Sequence, residues 1–259
     1  MQIWQAIILG FTQGLTEFLP VSSSGHLTLM QKLLGVSEEN YMFLNVMLHV
    51  GTLIPVIVVF FKEILALFRK PFNKMLYLIV ATIPAVIAGL FLDDYIDMAF
   101  KSEWFLIIGF LLTAGILFSA EIVSKKRKPL YSEVNLKTAT FMGLSQAVAT
   151  LPAISRSGST IATGCFLGLD RESNANFAFL MSIPVILGAG LVEGYGAITQ
   201  GVTIEILPLI FGVISAMVSG YMAIKLMLAI IKKANYKWFS LYLVILSLTL
   251  AILKLCKVF

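Results

Sequence analysis

Charge is scarce in this chain of 259 residues: aspartate, glutamate, lysine and arginine make up 13% of it, against 59% hydrophobic residues and a mean hydropathy of +0.93. Soluble domains carry about 25% charged residues, so the composition excludes a water-soluble globule. Cysteine is nearly missing as well. Cys165 and Cys256 both lie in apolar sequence, which excludes a disulfide framework or a thiolate metal cage. There are only two histidines, His26 and His49, and no zinc-protease spacing, Walker loop or G-x-S-x-G elbow. The first residues lack a basic stretch and a small-residue cleavage site, so no cleavable leader is expected. Ten-residue alternating strands are absent too, which excludes a barrel.

What the chain does have is long apolar runs. Six stretches reach the roughly 20 residues needed to cross a bilayer: 41–61, 73–92, 104–123, 176–198, 204–224 and 238–256. The net charge of +5 is explained by where the cations fall. Of 19 basic residues, 13 cluster in three short loops: Lys62, Arg69, Lys70 and Lys74; Lys125, Lys126, Arg127, Lys128 and Lys137; Lys225, Lys232, Lys233 and Lys237. The loops between them are acidic, with Asp93, Asp94, Asp97 and Glu103 in one and Glu193 and Glu205 in another. This is the positive-inside pattern of a multi-pass membrane protein, and it removes any need for a nucleic-acid partner.

The basic loops fix the direction of each span, and segments 1–40 and 134–172 remain. Each holds a helix too interrupted to cross, a Pro/Ser/Gly turn and a second short apolar piece, Leu27–Leu34 or Ile161–Leu169. Each must start and finish on one side of the membrane, which predicts a re-entrant hairpin. Three spans separate the two hairpins, so they enter from opposite faces. The expected fold is therefore an all-α polytopic membrane protein of about six transmembrane helices plus two opposed hairpins in an inverted-topology repeat. The single membrane domain 1–259 divides into repeat 1 (1–123) and repeat 2 (134–259). In such folds the broken elements meet near the midplane. The second short helices are expected to begin just after Ser22–Gly25 and Ser155–Gly158, with free N–H groups aimed at an anion such as phosphate.

The two turns spell nearly the same sequence. At an offset of 133, Gly10, Gln13, Ser22, Ser24 and Gly25 match Gly143, Gln146, Ser155, Ser157 and Gly158. Glu17 lies in Leu-Thr-Glu-Phe-Leu without a counter-charge in its own helix, so it is either protonated or paired with a cation, metal or ligand. Arg156, between Ser155 and Ser157, is a permanent planar cation suited to phosphate oxygens. His26 follows Ser22-Ser23-Ser24-Gly25 and could serve as nucleophile, acid or base. His49 has no polar company in Leu-His-Val and reads as structural. Ser22 and Ser24 either cap the following helix or bind a ligand, Thr160 bonds backbone or ligand, and Gln13 shares a helix face with Glu17. Gln146 reads as packing, and Asp170-Arg171-Glu172 as local salt-bridging.

The stretches Gln13-Gly-Leu-Thr-Glu17-Phe-Leu-Pro-Val-Ser-Ser-Ser-Gly-His26 and Pro152-Ala-Ile-Ser155-Arg156-Ser-Gly-Ser-Thr160 closely resemble the two signatures of the undecaprenyl-diphosphate phosphatase family, the bacitracin-resistance type. The resemblance extends over the whole chain in length and span layout. It departs at two positions: family members often carry an acid where Gln13 stands, and usually a glycine where Ala153 stands.

The resemblance implies hydrolysis of the terminal phosphate of undecaprenyl diphosphate, a polyprenyl lipid. The reaction recycles the carrier lipid for cell-wall polysaccharide synthesis and confers resistance to bacitracin. It implies work at the outer face of the bacterial cytoplasmic (inner) membrane, a magnesium or calcium ion with Glu17 as its candidate ligand, and room for a homodimer. Glu17, Ser23, His26 and Arg156 are the expected catalytic set, and Gln13, Ser22, Ser24, Ser155, Ser157 and Thr160 the expected substrate-binding set. Ser23 attacking with His26 as base, and His26 attacking directly, are both open at this point. A transporter or flippase for the lipid phosphate is the rival reading, since opposed hairpins also suit a carrier; a carrier, however, needs no nucleophile and base.

Overall fold

The computed structural model describes residues 1–100, 102–126, 128–199, 205–231 and 235–256; the side chains of residues 38–40, 93, 94, 97, 193, 197 and 198 are outside the description. Of the loop charges named above, Arg127, Lys232, Lys233, Asp93, Asp94, Asp97 and Glu193 fall outside it. The described residues form helices α1 (Ile3–Phe18), α2 (Ser23–Leu33), α3 (Glu38–Val59), α4 (Phe61–Leu67), α5 (Asn73–Phe91), α6 (Asp93–Phe100), α7 (Glu103–Lys126), α8 (Leu136–Val148), α9 (Arg156–Phe166), α10 (Arg171–Leu180), α11 (Ser182–Thr199), α12 (Ile206–Ile230) and α13 (Tyr236–Leu255). Extended structure among them is confined to one isolated bridge, Tyr131 with Leu169.

Six helical stretches are long and apolar enough to cross a membrane: Tyr41–Val59, Asn73–Phe91, Glu103–Lys126, Arg171–Gly196, Ile206–Ile230 and Tyr236–Leu255. They coincide with the six runs read from the sequence. Their outer faces are greasy: Phe91, Leu191 and Trp238 are 76%, 74% and 71% exposed, a surface that suits acyl chains and not water.

The short helices start earlier than the sequence suggested. Ser22 and Ser155 are the N-caps, their hydroxyls accepting from the amides of Gly25 at 3.3 Å and Gly158 at 3.0 Å. The Ser/Gly stretches are thus the first turns of α2 and α9, because a serine that satisfies a free amide starts a helix readily. A second regularity follows. Helices starting at residues 3, 23, 38, 73 and 103 recur at 136, 156, 171, 206 and 236, the same offset of 133 that aligns the two turns.

The two halves interlock. The most extensive pairing is α1 along α12, and α8 lies along α5, so each broken segment rests on a span of the opposite half; α7 pairs with α13. Small residues allow the approach. A Cβ added to Gly10 would lie 2.1 Å from the Gly212 carbonyl, and one on Gly14 would lie 2.3 Å from that of Ala216. On the other side, a Cβ on Gly143 would lie 2.6 Å from the Ala81 carbonyl. Lipid supplies no hydrophobic drive between helices, so contact of this closeness is what holds them.

Ion clusters tie the helix ends. At the start of α7, Glu103 accepts from Lys32 of α2 at 2.7 Å and Lys254 of α13 at 2.5 Å. At its other end the buried Glu121 takes Arg171 at 3.2 Å, Lys125 at 3.1 Å and the backbone amide of Tyr236 at 3.2 Å. Arg171 therefore bridges α10 to α7, while Asp170 caps α10. The charge pattern predicts each group of ends to share a face, outer for the first cluster and cytoplasmic for the second.

Candidate active site

The two Ser/Gly turns meet. Ser157 Oγ donates to the Leu19 carbonyl at 3.0 Å, joining the second turn to the first. Thr113 of α7 steadies the second turn, accepting from the Ser155 amide at 3.0 Å and donating to the Ala153 carbonyl at 3.3 Å. Ala153 has φ +59°, the left-handed region that a Cβ disfavours. The turns are internally alike, with Ser22 and Ser24 hydroxyls 3.3 Å apart and Ser155 and Ser157 hydroxyls also 3.3 Å apart.

Across that junction the charges find each other. Arg156 Nη2 is bonded to Glu17 Oε1. The other oxygen, Oε2, accepts from Ser23 Oγ at 2.6 Å and from Gln13 Nε2 at 3.0 Å. Both members of the pair lie well inside the protein, where removing one partner of an ion pair is far more costly than the pair itself is stabilising. The missing counter-charge of Glu17 is thus an arginine 139 positions along the chain, which no local pattern could show.

A cavity of about 320 Å³ opens beside this group, and Glu17, Ser22, Ser23, Ser24 and Arg156 line it. Apolar wall comes from Val46, Ala85, Phe100, Val185 and Ile186. Among the described residues, three buried polar atoms of the cavity lining find no hydrogen-bond partner: Arg156 Nη1, Asn45 Oδ1 and Gln146 Oε1. A buried polar atom without a partner asks for a ligand or water.

Five of the expected residues support this cavity without lining it. Gln13 holds Glu17, and Ser155 caps α9. Ser157 bridges the turns, and Thr160 donates back to the Arg156 carbonyl at 2.9 Å. His26 turns away from Ser23: its Nδ1 meets the Ser22 carbonyl at 2.7 Å and its Nε2 meets the Tyr242 hydroxyl at 2.6 Å.

The histidine read as structural is the one in the cavity. His49 Nε2 lies 3.8 Å from Glu17 Oε2, with Nδ1 donating to the Asn45 carbonyl at 2.9 Å. The sequence did carry a signal: Asn45 and His49 stand four apart, on one face of an otherwise apolar span.

The family model "Bacitracin resistance protein BacA" matches residues 6–249. The chain is 44% identical over 258 residues to an undecaprenyl-diphosphatase of Carboxydothermus hydrogenoformans, covering 98% of each chain. It is 40% identical over 257 residues to one of Halothermothrix orenii, again 98% of each. A third, from Thermodesulfovibrio yellowstonii, is 38% identical over 245 residues, 92% of this chain and 94% of that one.

Proposed function

The chain belongs to the bacitracin resistance protein BacA family, and from that membership and the site we propose that it hydrolyses undecaprenyl diphosphate to undecaprenyl phosphate and inorganic phosphate. The observation that carries the chemistry is the serine hydroxyl 2.6 Å from a buried carboxylate that an arginine holds from its other side. A carrier would need the arginine but not a serine aimed at a base. The greasy wall suits a polyprenyl tail, and the polar junction suits its head.

In this reading Ser23 Oγ attacks the terminal phosphorus and its proton passes to Glu17 Oε2. The bond from that phosphorus to the bridging oxygen breaks, and Glu17 returns the proton to the departing monophosphate. Water then cleaves the phosphoserine; Glu17 takes the water's proton and gives it to Ser23 Oγ. Arg156, through its unpartnered Nη1, and the amides opening α2 and α9 stabilise charge on the moving phosphoryl group. His26, with both ring nitrogens engaged elsewhere, supports the turn.

The protein's residues alone do not fit a cage for magnesium or calcium. Among the described residues Glu17 is the only acid lining the cavity, and its oxygens are taken by Arg156, Ser23 and Gln13. Among the described residues no three His, Cys, Asp or Glu side chains gather. A divalent ion would therefore bring most of its oxygen ligands with the diphosphate, the usual habit of magnesium.

We further read the chain as an inverted repeat with two re-entrant hairpins in the cytoplasmic membrane. The recurring helix starts and the crossed pairings α1–α12 and α8–α5 support it. With basic loops inside, Asn45, Ala85, Ala189 and Phe100 all fall in the outer half of the protein, which supports a cavity open to the outer face. Analysis of the lipid product tests the function. Wild type in detergent is expected to convert the substrate to monophosphate and one equivalent of phosphate; intact lipid, bound or flipped, would return the case to a carrier.

A further inference from the structure

We propose that Tyr242 is a positioning residue for this reaction, acting through His26 on the turn that carries Ser23; the inference rests on the phosphatase reading above. His26 stands in the first turn of α2, with Nδ1 2.7 Å from the Ser22 carbonyl and Nε2 2.6 Å from the Tyr242 hydroxyl. A carbonyl can only accept, so Nδ1 carries the proton and Nε2 accepts from the Tyr242 O–H. The two rings stack with centroids 5.7 Å apart at 15°, and Phe110 meets the imidazole edge-on at 5.4 Å. Both nitrogens are engaged and the ring is held between neighbours, so a single orientation is favoured.

That orientation holds an unfavourable piece of backbone. Ser22 has φ +70°, a left-handed conformation costing roughly 1–2 kcal/mol for a residue with a side chain. Its carbonyl is gripped twice by His26, through Nδ1 at 2.7 Å and the backbone amide at 3.3 Å. The next residue is Ser23, whose hydroxyl must sit on Glu17. Loosening the imidazole lets Ser22 relax and carries Ser23 off its base. Tyr242 is on the last helix of the chain and does not line the cavity; its influence on the chemistry passes through the His26 ring.

Tyr242→Phe keeps the ring and removes the hydroxyl alone. The expected result is a kcat about 5-fold lower, the size of one lost hydrogen bond, with KM and thermal midpoint little changed. In a His26→Gln background the same change adds no further loss, since coupled residues are not additive. A second readout needs no activity. The chain has only two histidines, so 15N-histidine NMR resolves them: wild-type His26 is expected as the Nδ1–H tautomer, and Tyr242→Phe moves its Nε2 resonance while those of His49 stay. Unchanged kcat, equal losses in both backgrounds, or an unmoved His26 resonance would overturn the proposal. A wild type that hydrolyses nothing would instead overturn the phosphatase reading, and the NMR shift then decides the role of Tyr242 alone.

Discussion

Glu17 is held by Arg156 on one oxygen and by Ser23 and Gln13 on the other, so its variants separate stability from chemistry. Arg156→Ala leaves a buried carboxylate unpaired, at a cost of about 3–5 kcal/mol. Thermal unfolding in detergent is expected to show a lowered midpoint, and phosphate release should fall at least about 100-fold, as for loss of a transition-state donor. Adding Glu17→Gln removes the stranded charge, so the double variant regains much of the midpoint and none of the activity. Recovery of activity would show that the pair serves only to hold the turns together. At this scale the sequence singled out Glu17 and Arg156, which the structure pairs, because an acid and an arginine in greasy sequence have few reasons to be there. It misjudged His49, whose partner lies on another helix. It put Ser155 and Ser157 on the substrate and Thr160 on backbone or substrate; in the structure all three hydroxyls bond backbone.

Helix placement was legible because a membrane span declares itself by length and apolarity, and all six spans fall where the runs do. Helix starts were less so, since Ser and Gly read as a turn until a capping bond is seen. Pairing was not legible at all: nothing periodic in α1 announces that its partner is α12. Gly14→Val forces a side chain into a site where even its Cβ would lie 2.3 Å from the Ala216 carbonyl, so α1 must back away from α12 and tilt Glu17. Yield and thermal midpoint should fall, in the range of roughly 1–3 kcal/mol or more for overpacking. Glu121→Ala unpins α7, α10 and the start of α13 at the end of α7 opposite Glu103. It is expected to lower the midpoint comparably to Arg156→Ala while leaving the KM of the folded fraction unchanged, since Glu121 does not line the cavity.

For the molecule as a whole, the offset of 133 that aligns the turns also aligns five helix starts, and the site lies where the two halves cross. Each half contributes one turn and one charge, so neither is a complete site alone. The near-neutral balance of Glu17 and Arg156 also predicts weak cation binding without substrate. Titration of calcium into the substrate-free protein is expected to show no saturable site at millimolar concentration, with binding appearing when a diphosphate analogue is present. A tight calcium site in the free protein would contradict the absence of a cage.

Attack of Ser23, held on Glu17, on the phosphorus is the step on which the proposed hydrolysis turns. The measurement that meets it most directly is acid quenching of turnover on substrate labelled in its terminal phosphate, followed by mapping of the label on the chain. Acid-stable phosphoserine is expected on the peptide containing Ser23, absent from Ser23→Ala and from Arg156→Ala. Label on His26 or His49 that is lost in acid and kept in alkali, or full turnover by Ser23→Ala, would contradict it.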